Sequence, residues 1–114
     1  MNLRILFLLI FGANCLSTFA QENKPAKYWI QLSDKKDTPY SLDQPEEFLS
    51  ARALQRRFHQ NIELDSTDLP VNPGYLNAIR ERGIKIHGVS KWLNSVAIVA
   101  DSSSAYELLK LPFV

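Results

Sequence analysis

The sequence predicts an α+β fold, a small antiparallel sheet with helices on one face. Three observations predict it. Three short segments alternate or run apolar over about six residues each, as strands do. Elsewhere apolar residues recur at helical spacing behind Pro, Asn, Asp or Ser start signals. The order of these segments is strand, helix, helix, strand, strand, helix.

Ahead of them stands a leader. Arg4 gives a positive start, Ile5 to Phe11 begins an apolar run, and Thr18-Phe19-Ala20 ends it with small residues where a signal peptidase reads. A membrane anchor would need about 20 apolar residues, and Gly12, Asn14 and Ser17 interrupt this run. Asn14 is a poor residue before an acylated cysteine, which counts against a lipoprotein reading of Cys15. The expectation is a signal peptide over 1–20, a polar linker over 21–27 and one domain over 28–114. The product is exported, to a periplasmic, cell-surface or extracellular site.

Lys27 to Leu32 reads as the first strand, with Tyr28, Ile30 and Leu32 on one face and Trp29 and Gln31 on the other. Ser33 to Asp37 is charged turn material. Pro45 marks a helix start with Glu46 and Glu47 in its first turn, where acidic residues favour the positive end of the dipole. Phe48, Ala51, Leu54, Phe58 and Ile62 form its apolar stripe. Arg52, Arg56 and Arg57 lie off the stripe and read as a solvated face. Asn61 to Val71 is polar and irregular. Asn72-Pro73 opens a second helix, which buries Tyr75, Leu76 and Ile79 and which Gly83 closes as a left-handed cap. Ile84 to Gly88 alternates as a strand, Ser90 to Asn94 connects, and Ser95 to Ala100 is a strand of the buried kind. Asp101 to Ser104 starts a third helix, Ser104 and Glu107 fit a capping box, and Tyr106, Leu108, Leu109 and Leu111 supply apolar contacts. Pro112 ends it, and Phe113-Val114 resembles the start of another strand. The expected core joins Ile30, Leu32, Phe48, Leu54, Phe58, Ile79, Ile84, Ile86, Val96, Ile98, Leu108 and Leu109.

If the two middle helices form one interrupted crossover, the order becomes the ferredoxin-like split β-α-β-β-α-β sandwich, with the fourth strand missing or only begun. That strand would lie beside the first, whose edge is then unpaired. The expectation is a domain truncated at its C-terminal side.

Composition excludes more than it assigns. With 46% hydrophobic and 22% charged residues in 114, the chain is neither collagen-like nor fully disordered. Without Arg4, 12 basic residues face 12 acidic ones, a poor balance for a nucleic-acid binder. The only cysteine, Cys15, lies in the leader, so the mature chain has no disulfide and no thiol nucleophile. His59 and His87 lack the spaced histidines or carboxylates of a metal pair. No phosphate-cradling glycine loop and no G-x-S-x-G elbow occurs. No catalytic, cofactor-binding or metal-binding residue is assigned, and no cofactor is expected. The chain alone is not expected to be an enzyme.

Several stretches, in order over 87 residues, resemble the N-terminal propeptide region of secreted bacterial subtilisin-like serine peptidases. These are Tyr28-Trp29-Ile30 with Asp34-Lys35-Lys36, and Pro45 to Ala53 with Arg56-Arg57. Asp68-Leu69-Pro70-Val71 with Tyr75 follows, then Ser90 to Val96 and Leu108 to Val114. The resemblance implies a ferredoxin-like domain whose sheet packs on a catalytic domain, helping it to fold, inhibiting it, and then being cut away. It implies a subtilisin-like catalytic domain as partner, in cis or, for a stand-alone inhibitor, in trans. The family's catalytic motifs are not matched: Asp65-Ser66-Thr67 lacks the following glycine, His87-Gly88-Val89 is not the histidine motif, and no Gly-Thr-Ser occurs. Two other readings compete, a stand-alone secreted peptidase inhibitor and a small secreted binding or structural domain sharing the fold.

Overall fold

The computed structural model describes residues 23–114. The expected signal peptide over 1–20, Cys15 included, lies outside the described residues. Strand β1 (Ala26–Gln31) is followed by helices α1 (Ala51–His59) and α2 (Pro73–Arg80), strands β2 (Lys85–Ser90) and β3 (Ser95–Ala100), and helix α3 (Ser102–Glu107). Single 3-10 turns stand at Pro45–Glu47, Ser66–Asp68 and Leu108–Lys110.

The three strands form one antiparallel sheet in the order β1-β3-β2. β3 is central because it is the most apolar strand and the only one buried along most of its length. Its register with β1 is unbroken, from Ala26↔Ala100 to Gln31↔Ser95. Its register with β2 shifts at a bulge, where His87 and Gly88 stand opposite Ala97.

Alternation sends Ile30, Val96, Ile98 and Ala100 to one face. There they meet Ile79 of α2, Ala105 of α3 and Leu108, with Leu32, Val71 and Ile84 closing the rim. This is a two-layer α+β domain with its core between the sheet and the two later helices.

The local start and stop signals explain most boundaries. Asn72 caps α2, its side-chain oxygen accepting from the Gly74 N–H at 2.8 Å, and Pro73 fills the first turn. Gly83 follows that helix at φ 75°, a left-handed turn that only glycine adopts freely. Asn94 holds the β2–β3 turn at φ 46°, and its amide donates to the Leu32 and Asp34 carbonyls at 3.2 and 2.9 Å. Those bonds weld the turn to the end of β1.

Several expectations need correction. The first helix does not start at Pro45. Pro45–Glu47 is a 3-10 turn, and α1 begins afresh at Ala51 because Ser50, in extended conformation, caps it by accepting from the Ala53 N–H at 3.1 Å. Its stripe does not enter the core: α1 buries no residue, Phe58 is 80% exposed and Ile62 is exposed, while Phe48 and Leu54 are only half-buried. The core takes Val71, Ala100 and Ala105 in their place, and Leu49 is buried apart from it. Leu109 is 63% exposed and Tyr106 is exposed as well. Ser104 and Glu107 form no capping box: Asp101 is the cap, accepting from the Ser104 N–H at 3.1 Å, and Glu107 pairs with Lys110 at 2.8 Å. A single capping carboxylate with two serines behind it satisfies the helix start without Glu107, and its pKa is held low by the hydroxyls of Ser103 and Ser104 and the Ser104 N–H. Phe113-Val114 is a turn end and not a strand.

Candidate functional site: an open strand edge and an uncovered sheet face

Both helices of the core cover one face of the sheet. The other face carries Lys27, Trp29 and Gln31 from β1, Ala97 and Val99 from β3, and Lys85 and His87 from β2. Small residues in the centre with Trp29, 56% exposed, beside them make a shallow apolar strip between basic margins. No element among the described residues lies over it.

The edge of β1 is the second feature. The Leu32 N–H donates to the Asn94 carbonyl at 2.9 Å. In an antiparallel ladder, hydrogen bonds to one neighbour come from alternate residues. Tyr28 and Ile30 therefore bond inward to β3, and the N–H and C=O groups of Lys27, Trp29 and Gln31 point outward. The next group in that outward series, the Ser33 N–H, already donates to the Phe113 carbonyl at 2.8 Å.

Beside this edge runs a groove of about 230 Å³ lined by Tyr28, Trp29, Ile30, Ala105, Tyr106 and Leu109. Free backbone groups next to an apolar groove are what an added strand needs, since the backbone bonds give affinity and alternate side chains fill the groove. The outer edge of β2 differs, because its bulge and the outward charge of Lys85 discourage pairing.

Around the far end of β1 the polar residues form a frame. Lys35 Nζ donates to the carbonyls of Leu69 at 2.6 Å, Lys91 at 2.8 Å, Ser66 at 3.1 Å and Thr67 at 3.3 Å. Burial pushes its pKa down, as does the nearby charge of Lys91. Asp34 Oδ1 accepts from the Tyr75 hydroxyl at 2.6 Å and the Lys36 N–H at 3.0 Å. These bonds hold the Asp34 carboxyl below its usual range, the Tyr75 bond most, and the same bond pushes the Tyr75 hydroxyl up to about 12. Tyr75 also stacks flat on Phe113, ring centres 4.0 Å apart, which fixes the chain leaving α3.

Each residue singled out in the sequence now has a place. Arg52 and Arg56 lie on an exposed helix face, as expected. Arg57 does not. Its guanidinium grips both carboxylate oxygens of Asp68, which is 1% exposed, and lies over the Trp92 ring at 5.6 Å. Asp68 completes a capping box with Asp65, so a buried carboxylate is satisfied by a helix start and an arginine together. The sequence shows the Asp65/Asp68 spacing but not that Arg57 reaches it. His59 is exposed, edge-on to Phe58, and His87 is exposed at the β2 bulge. Among the described residues no group of three His, Cys, Asp or Glu side chains could hold a metal ion. No described helix is long and apolar enough to cross a membrane.

Among the described residues the arrangement offers a strand edge, a groove and a bare sheet face. The family model described as the peptidase S8 propeptide domain, Bacteroidota, matches residues 27–114. No curated protein and no solved structure gives a match. A propeptide domain is not itself catalytic, in keeping with the absent catalytic motifs. The matched span takes in every strand and helix described above but the first residue of β1, and the chain belongs to the peptidase S8 propeptide domain family of the Bacteroidota.

Proposed function

We propose that this chain is exported behind a cleaved leader and acts as the folding aid and inhibitor of a subtilisin-like catalytic domain joined to it in cis. The sheet face around Trp29, Ala97 and Val99 docks on that domain. The β1 edge takes a fourth antiparallel strand, which completes a ferredoxin-like sandwich. The observation that carries the reading is the open edge beside its apolar groove in a chain of the propeptide family. The Ser33–Phe113 bond supports the direction, because a strand continuing from it antiparallel to β1 would meet Gln31, Trp29 and Lys27 in turn.

The physical basis of the folding role is linkage. A domain that binds only the folded catalytic domain stabilises that state by mass action, and a surface that persists after folding remains an inhibitor. The test is refolding of a subtilisin-like catalytic domain from denaturant, with and without this chain. A higher yield of folded peptidase, silent until the chain is removed, is the expected result. Equal yields, with full activity in the presence of the chain, would overturn the reading.

A further inference from the structure

Residues 38–64 are built differently from the rest of the domain. Leu49 is the only buried residue among them. Their backbone bonds are local, such as Leu54 to Ser50, Gln60 to Arg56 and Ile62 to Arg57. The aromatic pair Tyr40–Phe48 also lies inside the segment. Among the described residues, the side-chain bonds that leave it are those of Arg57 to Asp68. At its front Asp37 is left-handed at φ 53°, and at its back Asp65 is extended. The arm thus has a bend at one end, an extended joint at the other and one polar latch between.

We propose that this arm opens as a unit while the sheet stays folded, and that its exposed Gln60–Glu63 stretch is where a peptidase first cuts the domain. A peptidase needs a run of extended, accessible backbone, and the cut rate follows the population of the open form when opening is fast. Gln60, Asn61, Ile62 and Glu63 are all exposed, follow the end of α1 and include the left-handed Asn61 at φ 52°. The exposed turns elsewhere are tied at several points: 33–36 through Lys35, Asp34 and the Asn72 amide on the Lys36 carbonyl, and 91–94 through Asn94 and the Gln31 amide. At the cut, water adds to the amide carbonyl, the C–N bond breaks, and a carboxylate and an amine are left.

The experiment uses the chain from Gln21 to Val114 and a broad-specificity metallopeptidase, whose action does not depend on inhibition of a serine peptidase. Early fragments are mapped by mass spectrometry, alongside native-state hydrogen exchange. The first cut is expected between residues 60 and 65, with α1 amides exchanging faster than those of β3. Arg57→Met removes the latch and should speed the first cut about tenfold, while Arg57→Lys, which keeps the charge, should speed it less. A first cut outside residues 60–65, or α1 and β3 amides exchanging together, overturns the proposal. So does an unchanged cutting rate in a folded Arg57→Met variant. Should Arg57→Met fail to fold, the fragment map and exchange pattern of the unsubstituted chain decide alone.

Discussion

Lys35 shows how much one side chain can organise. A single ammonium holds carbonyls from the Ser66–Leu69 stretch and the β2–β3 turn to the end of β1. Met in its place keeps much of the apolar stem and orphans those carbonyls. Lys35→Met should lower stability by about 2 kcal/mol, read as a fall in the urea midpoint with unchanged slope. The Asp34–Tyr75 bond makes a prediction about pH. Asp34 is depressed in the folded state, so its contribution is full above the unfolded carboxylate value of about 4 and is lost as pH falls through the folded value. Tyr75 is raised to about 12, so its contribution is full below the unfolded phenol value of about 10 and is lost as pH rises through 12. The stability advantage over Tyr75→Phe should therefore be widest between about pH 5 and pH 9 and narrow on both sides. Urea midpoints of both proteins across that range check it. None of these partners was legible in the sequence. Lys35, Asp34 and Arg57 read as charged turn or helix-face residues there. Their partners lie 11 to 56 residues away, and polar pairing at that range leaves no periodic trace.

At the scale of elements, the strands and α2 were readable because pattern and punctuation agreed. Tyr28, Ile30 and Leu32 alternate with Trp29 and Gln31, and Asn72-Pro73 and Gly83 bracket a helix with an apolar face. The first helix was misjudged for a physical reason. Helical spacing shows that a stripe exists, not that it meets the core, and Phe58 stands 80% exposed on a helix that buries no residue among those described. Phe58→Ala should change stability by less than about 0.5 kcal/mol, the ordinary surface value. Leu108→Ala, from a fully buried position, should cost about 3–5 kcal/mol. Thermal or urea melts of the two variants distinguish a core stripe from an exposed one. Asn72→Ala removes the α2 cap and the amide bond to the Lys36 carbonyl, and should cost about 2 kcal/mol in the same assay.

For the whole molecule, element order carried the architecture. Strand, two helices, two strands and a helix allow few short-linked packings, and β1-β3-β2 with helices on one face is the one observed. The site was legible only as an absence, a first strand whose outer edge has no fourth strand beside it. The groove beside it was not, because Leu109 reads as a core residue and Tyr106 as an apolar contact of the third helix, and both stand exposed at its rim. The central claim is that the bare sheet face around Trp29 docks on a subtilisin-like catalytic domain and that the β1 edge takes its fourth strand in that complex. Hydrogen exchange on the chain, free and bound to that domain, tests it most directly, with Trp29→Asp as the control. In the free chain, amides of Tyr28 and Ile30 should be protected and those of Lys27, Trp29 and Gln31 open. On binding, the open set should become protected, and Trp29→Asp should weaken binding at least about thirtyfold, the loss of a central aromatic anchor. Binding at full strength by Trp29→Asp, with the Lys27, Trp29 and Gln31 amides still open, would contradict the account.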